Sequence, residues 1–127
     1  VNRERVYAYF AGKLFDYHTS NPRLQRLLQW EALLFGSRTV PDEIERREQY
    51  QQKVDVIAQA QRDGTLSDEI PPGDLLFLLI AIAAWWSAVP QIMRMTERGS
   101  RTATAAAPRR RASTVKAAQL LAQPCAR

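Results

Sequence analysis

The run from Leu75 to Val89 is apolar at every position except Ser87, and it constrains the fold more than any other stretch. A membrane-spanning helix needs roughly 20 apolar residues. This run is shorter and ends at Pro90, so no membrane span is expected. A helix that is apolar all round is one buried all round. In a helix over 73–93, Leu75, Leu78, Leu79, Ile82, Trp85, Trp86 and Val89 form a bulky face. Ala81, Ala84 and Ala88 form a small-residue strip that permits close helix approach. A chain of 127 residues makes a single domain, 1–127, by size. It has little else with which to cover both faces, and a second copy supplying one wall is the simplest solution.

The rest of the chain also reads as helices, with no strand alternation. Over 3–18, Val6, Tyr7, Phe10, Leu14 and Tyr17 share a stripe at helical spacing. Asn2 is a possible N-cap. Ser20-Asn21-Pro22 stops that helix, because a residue before proline is pushed out of the helical region. A second helix opens at Pro22 and runs to about Phe35, with Gly36 as its C-terminal cap. A third spans about 41–63 and closes at Gly64; Ile44, Tyr50, Val54, Ile57 and Ala58 share one of its faces. GTLSDEIPPG, 64–73, is a turn-rich connection, and TERGSRTATAAA, 96–107, is a flexible one. A last helix is expected over 108–122, with Val115, Ala118 and Leu121 apolar. The expected fold is all-α, a bundle of about five helices.

Charge is unevenly placed. Residues 1–93 carry ten basic and twelve acidic side chains, whereas 94–127 carry eight basic ones and only Glu97. The Arg109-Arg110-Arg111 run, with Arg94, Arg98 and Arg101 upstream, invites a nucleic-acid reading. No aromatics interleave with these arginines, so a platform for stacking bases is absent. The plainer reading is a solvated surface, with the three arginines exposed in the first turn of the last helix.

The same composition excludes several chemistries. One cysteine, Cys125, forms no internal disulfide, which fits a reducing cytoplasm. One histidine and one cysteine cannot build a four-ligand zinc site, and no glycine-rich phosphate loop is present. No cofactor is expected. No nucleophile, base and oxyanion set can be assembled, so the chain is not read as an enzyme. His18, near a helix end beside Asp16 and Asn21, reads as a protonated C-terminal cap. There is no initiator Met and no signal segment. The chain reads as a piece of a longer protein.

Taken in order, these landmarks resemble the C-terminal regulatory domain of TetR-family transcriptional regulators. The aromatic first helix leads into YHTSNPRLQRLLQWEALLFG; a long polar helix ends in DGTLSDEIPPGDLL; the apolar helix ends in AWWSAVPQI; and RASTVKAAQLLAQP closes the chain. The resemblance implies a ligand-sensing helical domain that dimerises through its last two helices. It also implies a DNA-binding helix-turn-helix domain ahead of this region, which this chain lacks.

Glu31 and Arg47 are the sharpest individual features, because projection at ~100° per residue puts each in the middle of an apolar stripe. Unpaired ionised groups in a core are costly, so the two are expected either to pair with each other or to anchor a polar ligand group. Gln51 falls beside Arg47. The aromatics Tyr7, Phe10, Trp30, Tyr50, Trp85 and Trp86, with Leu14, Leu34 and Val54, are expected either to fill the core or to line a cavity for a small hydrophobic effector. The dimer contact is assigned to Ala81, Ala84, Ala88, Val115, Ala118 and Leu121. The function expected is that of a regulatory domain: a homodimer that binds the effector and controls operator binding by the missing DNA-binding part. The alternatives are a ligand-free dimerisation domain and a module binding nucleic acid through its basic tail.

Overall fold

The computed structural model describes residues 3–98 and 103–124. Among them are six α-helices and no strand. These are α1 (Arg3–Ser20), α2 (Pro22–Phe35), α3 (Glu43–Arg62), α4 (Pro72–Ala88), α5 (Pro90–Thr96) and α6 (Ala103–Ala122). The punctuation residues act as their chemistry requires. Pro22, Pro72 and Pro90 each open a helix, where a missing N–H costs nothing. Gly36 and Gly64 follow α2 and α3 with φ of 56° and 76°, a region that favours glycine. Asn21 carries no side-chain cap for α2; its Nδ2 donates instead to the Tyr17 carbonyl at 2.7 Å, closing the end of α1.

Two boundaries differ from the sequence reading. The helix expected over 73–93 is two helices, because the chain turns by 85° between α4 and α5. Pro90 has no N–H to continue the ladder of α4. The last helix begins at Ala103 rather than 108, so Pro108 lies inside it. Ala103 and Ala105–Ala107 are the best helix formers available and carry the helix back into the segment read as flexible. Asn2 and Cys125 lie outside the described residues.

The apolar α4 is the hub, packed by α1, α2, α3, α5 and α6. Its Leu75, Leu76 and Leu79 are almost fully buried and meet Tyr7 and Ala11 of α1, Ile57 of α3, and Ala118 and Ala122 of α6. Each such leucine contributes about 1.5–3 kcal/mol relative to exposure. Between α3 and α4, Leu66 completes the core. Gln61 fixes that connection by donating to the carbonyls of Ser67 and Ile70 at 3.0 and 2.8 Å. The Ser67 N–H donates in turn to the Ala122 carbonyl.

One face of α4 stays uncovered. Phe77 is 74% exposed and Trp85 60% exposed, with Leu78 and Ala81 also exposed. The oily helix therefore carries more apolar surface than the protomer covers.

The arginine run is solvated only in part: Arg109 is exposed, Arg111 half-buried and Arg110 buried. Glu97, just beyond α5, pairs with both Arg109 and Arg110, and Arg111 pairs with Asp16 of α1. Arg110 is 5% exposed. The expected free first turn is instead a set of ties that seat α6 against the body.

Candidate functional site

Helices α1, α3 and α4 diverge around an open groove of about 700 Å³, within the usual size of a small-molecule site. Its floor is apolar: Leu14 of α1, Ile57 of α3, and Leu76 and Leu79 of α4. Its rim is mixed. Tyr9, Phe10, Lys13, Asp16 and Tyr17 lie along α1, with Ser20 and Asn21 at its end, and Lys53 faces them from α3. Tyr9 and Phe10 stand edge to face, with ring centroids 5.6 Å apart. The Lys13 ammonium lies 4.5 Å from the Tyr9 ring centre, and Lys53 lies 5.5 Å from that of Tyr50. Such contacts hold each cation against an aromatic face. The arrangement can take a flat or greasy molecule on its floor and satisfy a few polar atoms at its rim. Among the described residues no group of three or more histidine, cysteine or acidic side chains gathers as a metal site would require.

Of the residues expected to line a cavity, Phe10 and Leu14 line this groove. Tyr7 is buried beside a void of about 20 Å³, next to Ala118. Val54 is half-buried against the core. Trp30 and Leu34 are both 66% exposed, and Tyr50 and Gln51 are exposed as well. Trp85 and Trp86 line a second groove, of about 510 Å³, between α4, α5 and α6. There the Trp86 Nε1 donates to the Thr114 hydroxyl at 2.9 Å.

The Glu31–Arg47 pairing does not form. Glu31 accepts two 2.8 Å hydrogen bonds from Arg46, which hold its carboxyl below the usual carboxylate range. Arg47 points into solvent, 69% exposed, and pairs with Glu43 one turn earlier. The expected face of α3 holds at Val54 and Ile57 but not nearer the start of the helix. Ile44, counted in the inner face, is 75% exposed; the inner face runs instead through Glu43, Arg46, Val54, Ile57 and Gln61.

His18 is also placed differently from the sequence reading. It is buried beside Gln25, and desolvation holds its pKa below the ordinary value, with Lys53 adding to the effect. A hydrogen bond with Gln25 opposes that lowering in part; His18 is a core residue whose protonation burial disfavours, rather than a charged cap.

The residues assigned to the dimer contact are scattered. Ala81 alone is exposed; Ala84 and Ala118 are buried in the protomer. Ala88, Val115 and Leu121 are half-buried, the last two packed against the core. The groove residues not among the expected site residues are Tyr9, Lys13, Asp16, Tyr17, Ser20, Asn21, Lys53, Ile57, Leu76 and Leu79. For Tyr9, Lys13 and Tyr17 the available signal was their spacing along one side of α1.

The family profile described as "Tetracyclin repressor-like, C-terminal domain" matches residues 7–119. The chain belongs to the TetR C-terminal domain family. A curated relative of this TetR-family domain is the HTH-type transcriptional repressor SCO4008 of Streptomyces coelicolor, 44% identical over 92 residues. That match covers 72% of this chain but 48% of the relative, so the domain spans about half the length of the protein it matches. A crystal structure of SCO4942, assigned as a transcriptional regulator of Streptomyces coelicolor, superposes with a TM-score of 0.70 at 27% identity. That superposition covers 96% of this TetR-family domain and 62% of the other chain. The family and both relatives are named for transcriptional regulation. Among the described residues no single helix is long and apolar enough to cross a membrane.

Proposed function

We propose that this domain senses a small, largely apolar effector in the groove between α1, α3 and α4, and passes its occupancy to a DNA-binding part of the whole protein. The observation that carries the reading is the groove itself: about 700 Å³ of space over an apolar floor of Leu14, Ile57, Leu76 and Leu79. The relative's name, an HTH-type repressor of which the chain spans about half, supports a helix-turn-helix part beyond these residues and operator control as the output. An effector shifts such a protein only by the difference in its affinity for two packings of the bundle.

The same reading includes a homodimer. Its seam is the face that α4 and α6 leave open. Phe77, Ala81 and Trp85 on α4 and Ala117 and Leu120 on α6 are exposed, and Trp85 and Ala117 border one groove, so the two faces are continuous. A two-fold axis across this surface would bury the uncovered side of α4 against its own copy.

The test uses N-phenyl-1-naphthylamine, a neutral dye that fluoresces in apolar sites. Saturable binding and a raised unfolding temperature are expected, and both are expected to weaken in Leu14→Trp, which fills the groove floor. Saturable binding that ignores Leu14→Trp would place the dye elsewhere, and a complete lack of binding by lipophilic compounds would end the sensor reading.

A further inference from the structure

Arg111 crosses from α6 to α1. Its Nε and Nη2 donate to the two carboxylate oxygens of Asp16 at 3.0 and 3.1 Å. To reach them the guanidinium lies over Gly12, one turn earlier in α1. A Cβ at position 12 would stand 2.9 Å from the guanidinium carbon and closer still to Nη2. Glycine is the poorest helix former after proline, and α1 carries this one in its middle, buried. A side chain there would force the end of Arg111 to shift.

Asp16 is the single carboxylate lining the groove among the described residues. Tyr7 and Ala11 of α1 and Ala118 and Ala122 of α6 share the apolar core. Such packing is non-directional, whereas a two-pronged guanidinium–carboxylate pair fixes distance and orientation.

We propose that Arg111 is the coupling residue between groove and seam: it fixes the groove-wall carboxylate of Asp16 to α6, so a ligand that displaces that wall displaces α6 with it. Gly12 leaves open the space through which the guanidinium passes. The proposal rests on the reading that the groove binds a ligand and adds the route by which α6, half of the proposed seam, responds.

The experiment is amide hydrogen exchange on the full chain, with and without N-phenyl-1-naphthylamine. In the wild type the dye is expected to protect the groove amides of α1 and α3. It is also expected to change exchange in α6 around 111–115 by about fivefold, the lower range of measured couplings. Arg111→Gln and Asp16→Asn are each expected to keep the groove protection and lose the α6 response; Arg111→Lys, which keeps the charge without the fork, should restore part of it. Groove protection in the wild type with a silent α6 would overturn the coupling while leaving the sensor reading intact. So would an α6 response that survives both substitutions. Absence of groove protection in the wild type sinks the sensor reading and the coupling together. The wild-type arm decides even if a variant fails to fold.

Discussion

Arg46 holds Glu31 by both arms of its guanidinium, each nitrogen 2.8 Å from a different carboxylate oxygen, and so joins α3 to α2. Glu31 is half-buried, while Trp30, Leu33 and Leu34 beside it are exposed. The bidentate geometry adds orientation to attraction. Glu31→Gln and Arg46→Met are each expected to lower the urea midpoint, and Arg47→Met to leave it unchanged. Because Arg46 depresses the pKa of Glu31, the pair's stabilisation is present above the carboxylate's unfolded value and is lost as pH falls through the folded one. The acid-side slope of stability should therefore flatten in Glu31→Gln. Identical slopes in variant and wild type would count against the pair.

His18 gives a second pH dependence. Burial lowers its pKa in the folded state, so the unfolded chain binds the extra proton first as pH falls. Stability is highest above the ordinary imidazole value and declines as pH drops through it, levelling off below the folded value. In His18→Gln this component of the decline should vanish. Urea titrations from neutral to mildly acidic pH check it.

Leu75 is 1% exposed and sits at the centre of the core. Leu75→Ala is expected to cost about 2–5 kcal/mol through lost burial and the cavity left behind. Exposed Leu33, 78% exposed, serves as the control; Leu33→Ala should shift stability by no more than about 0.5 kcal/mol. Chemical denaturation measures both.

The Trp86 indole ties α4 to α6 through Thr114, which is itself buried and donates to the Arg110 carbonyl at 2.8 Å. Thr114→Val keeps the shape and strands a part-buried N–H, at an expected cost of about 1–3 kcal/mol. Trp86→Phe removes the donor as well as some volume. A double-mutant cycle in urea separates the two, with a coupling near zero as the result that would refute the bond's role.

Trp85 and Leu120 test the proposed seam from opposite helices. Trp85→Glu and Leu120→Glu each place a charge on an apolar face and are expected to shift the chain from dimer to monomer in sedimentation velocity. Since both side chains are more than half exposed in the protomer, neither change should disturb the fold, which circular dichroism would verify. A wild-type chain that sediments as a monomer at tens of micromolar would remove the seam.

Much of the fold was legible because its signals are local. Pro22, Gly36 and Gly64 mark helix ends through backbone chemistry that does not depend on tertiary context. The candidate site was legible only in part. Phe10 and Leu14 were found because they recur at helical spacing along α1. The face of α3 was read correctly at Val54 and Ile57 and misjudged nearer its start, where the helix is polar on nearly every side: Ile44 and Tyr50 are exposed, and Arg46 rather than Arg47 turns inward. The pairing of Arg111 could not be read from its neighbours in sequence: its partner Asp16 lies 95 positions away in the chain. A charge pattern reveals how many ions there are, but which of them are neutralised is decided by packing.

The 85° corner at Pro90 has a consequence for how such chains are sorted by hydropathy. A sliding average adds the oily residues on both sides of the corner, as though they lay along one rod. At ~1.5 Å per residue, the 17 residues of α4 reach only about 25 Å, short of the roughly 30 Å of hydrocarbon in a bilayer. The elbow divides a segment that would otherwise score as a lipid-spanning pole into two struts, and each is too short for that task.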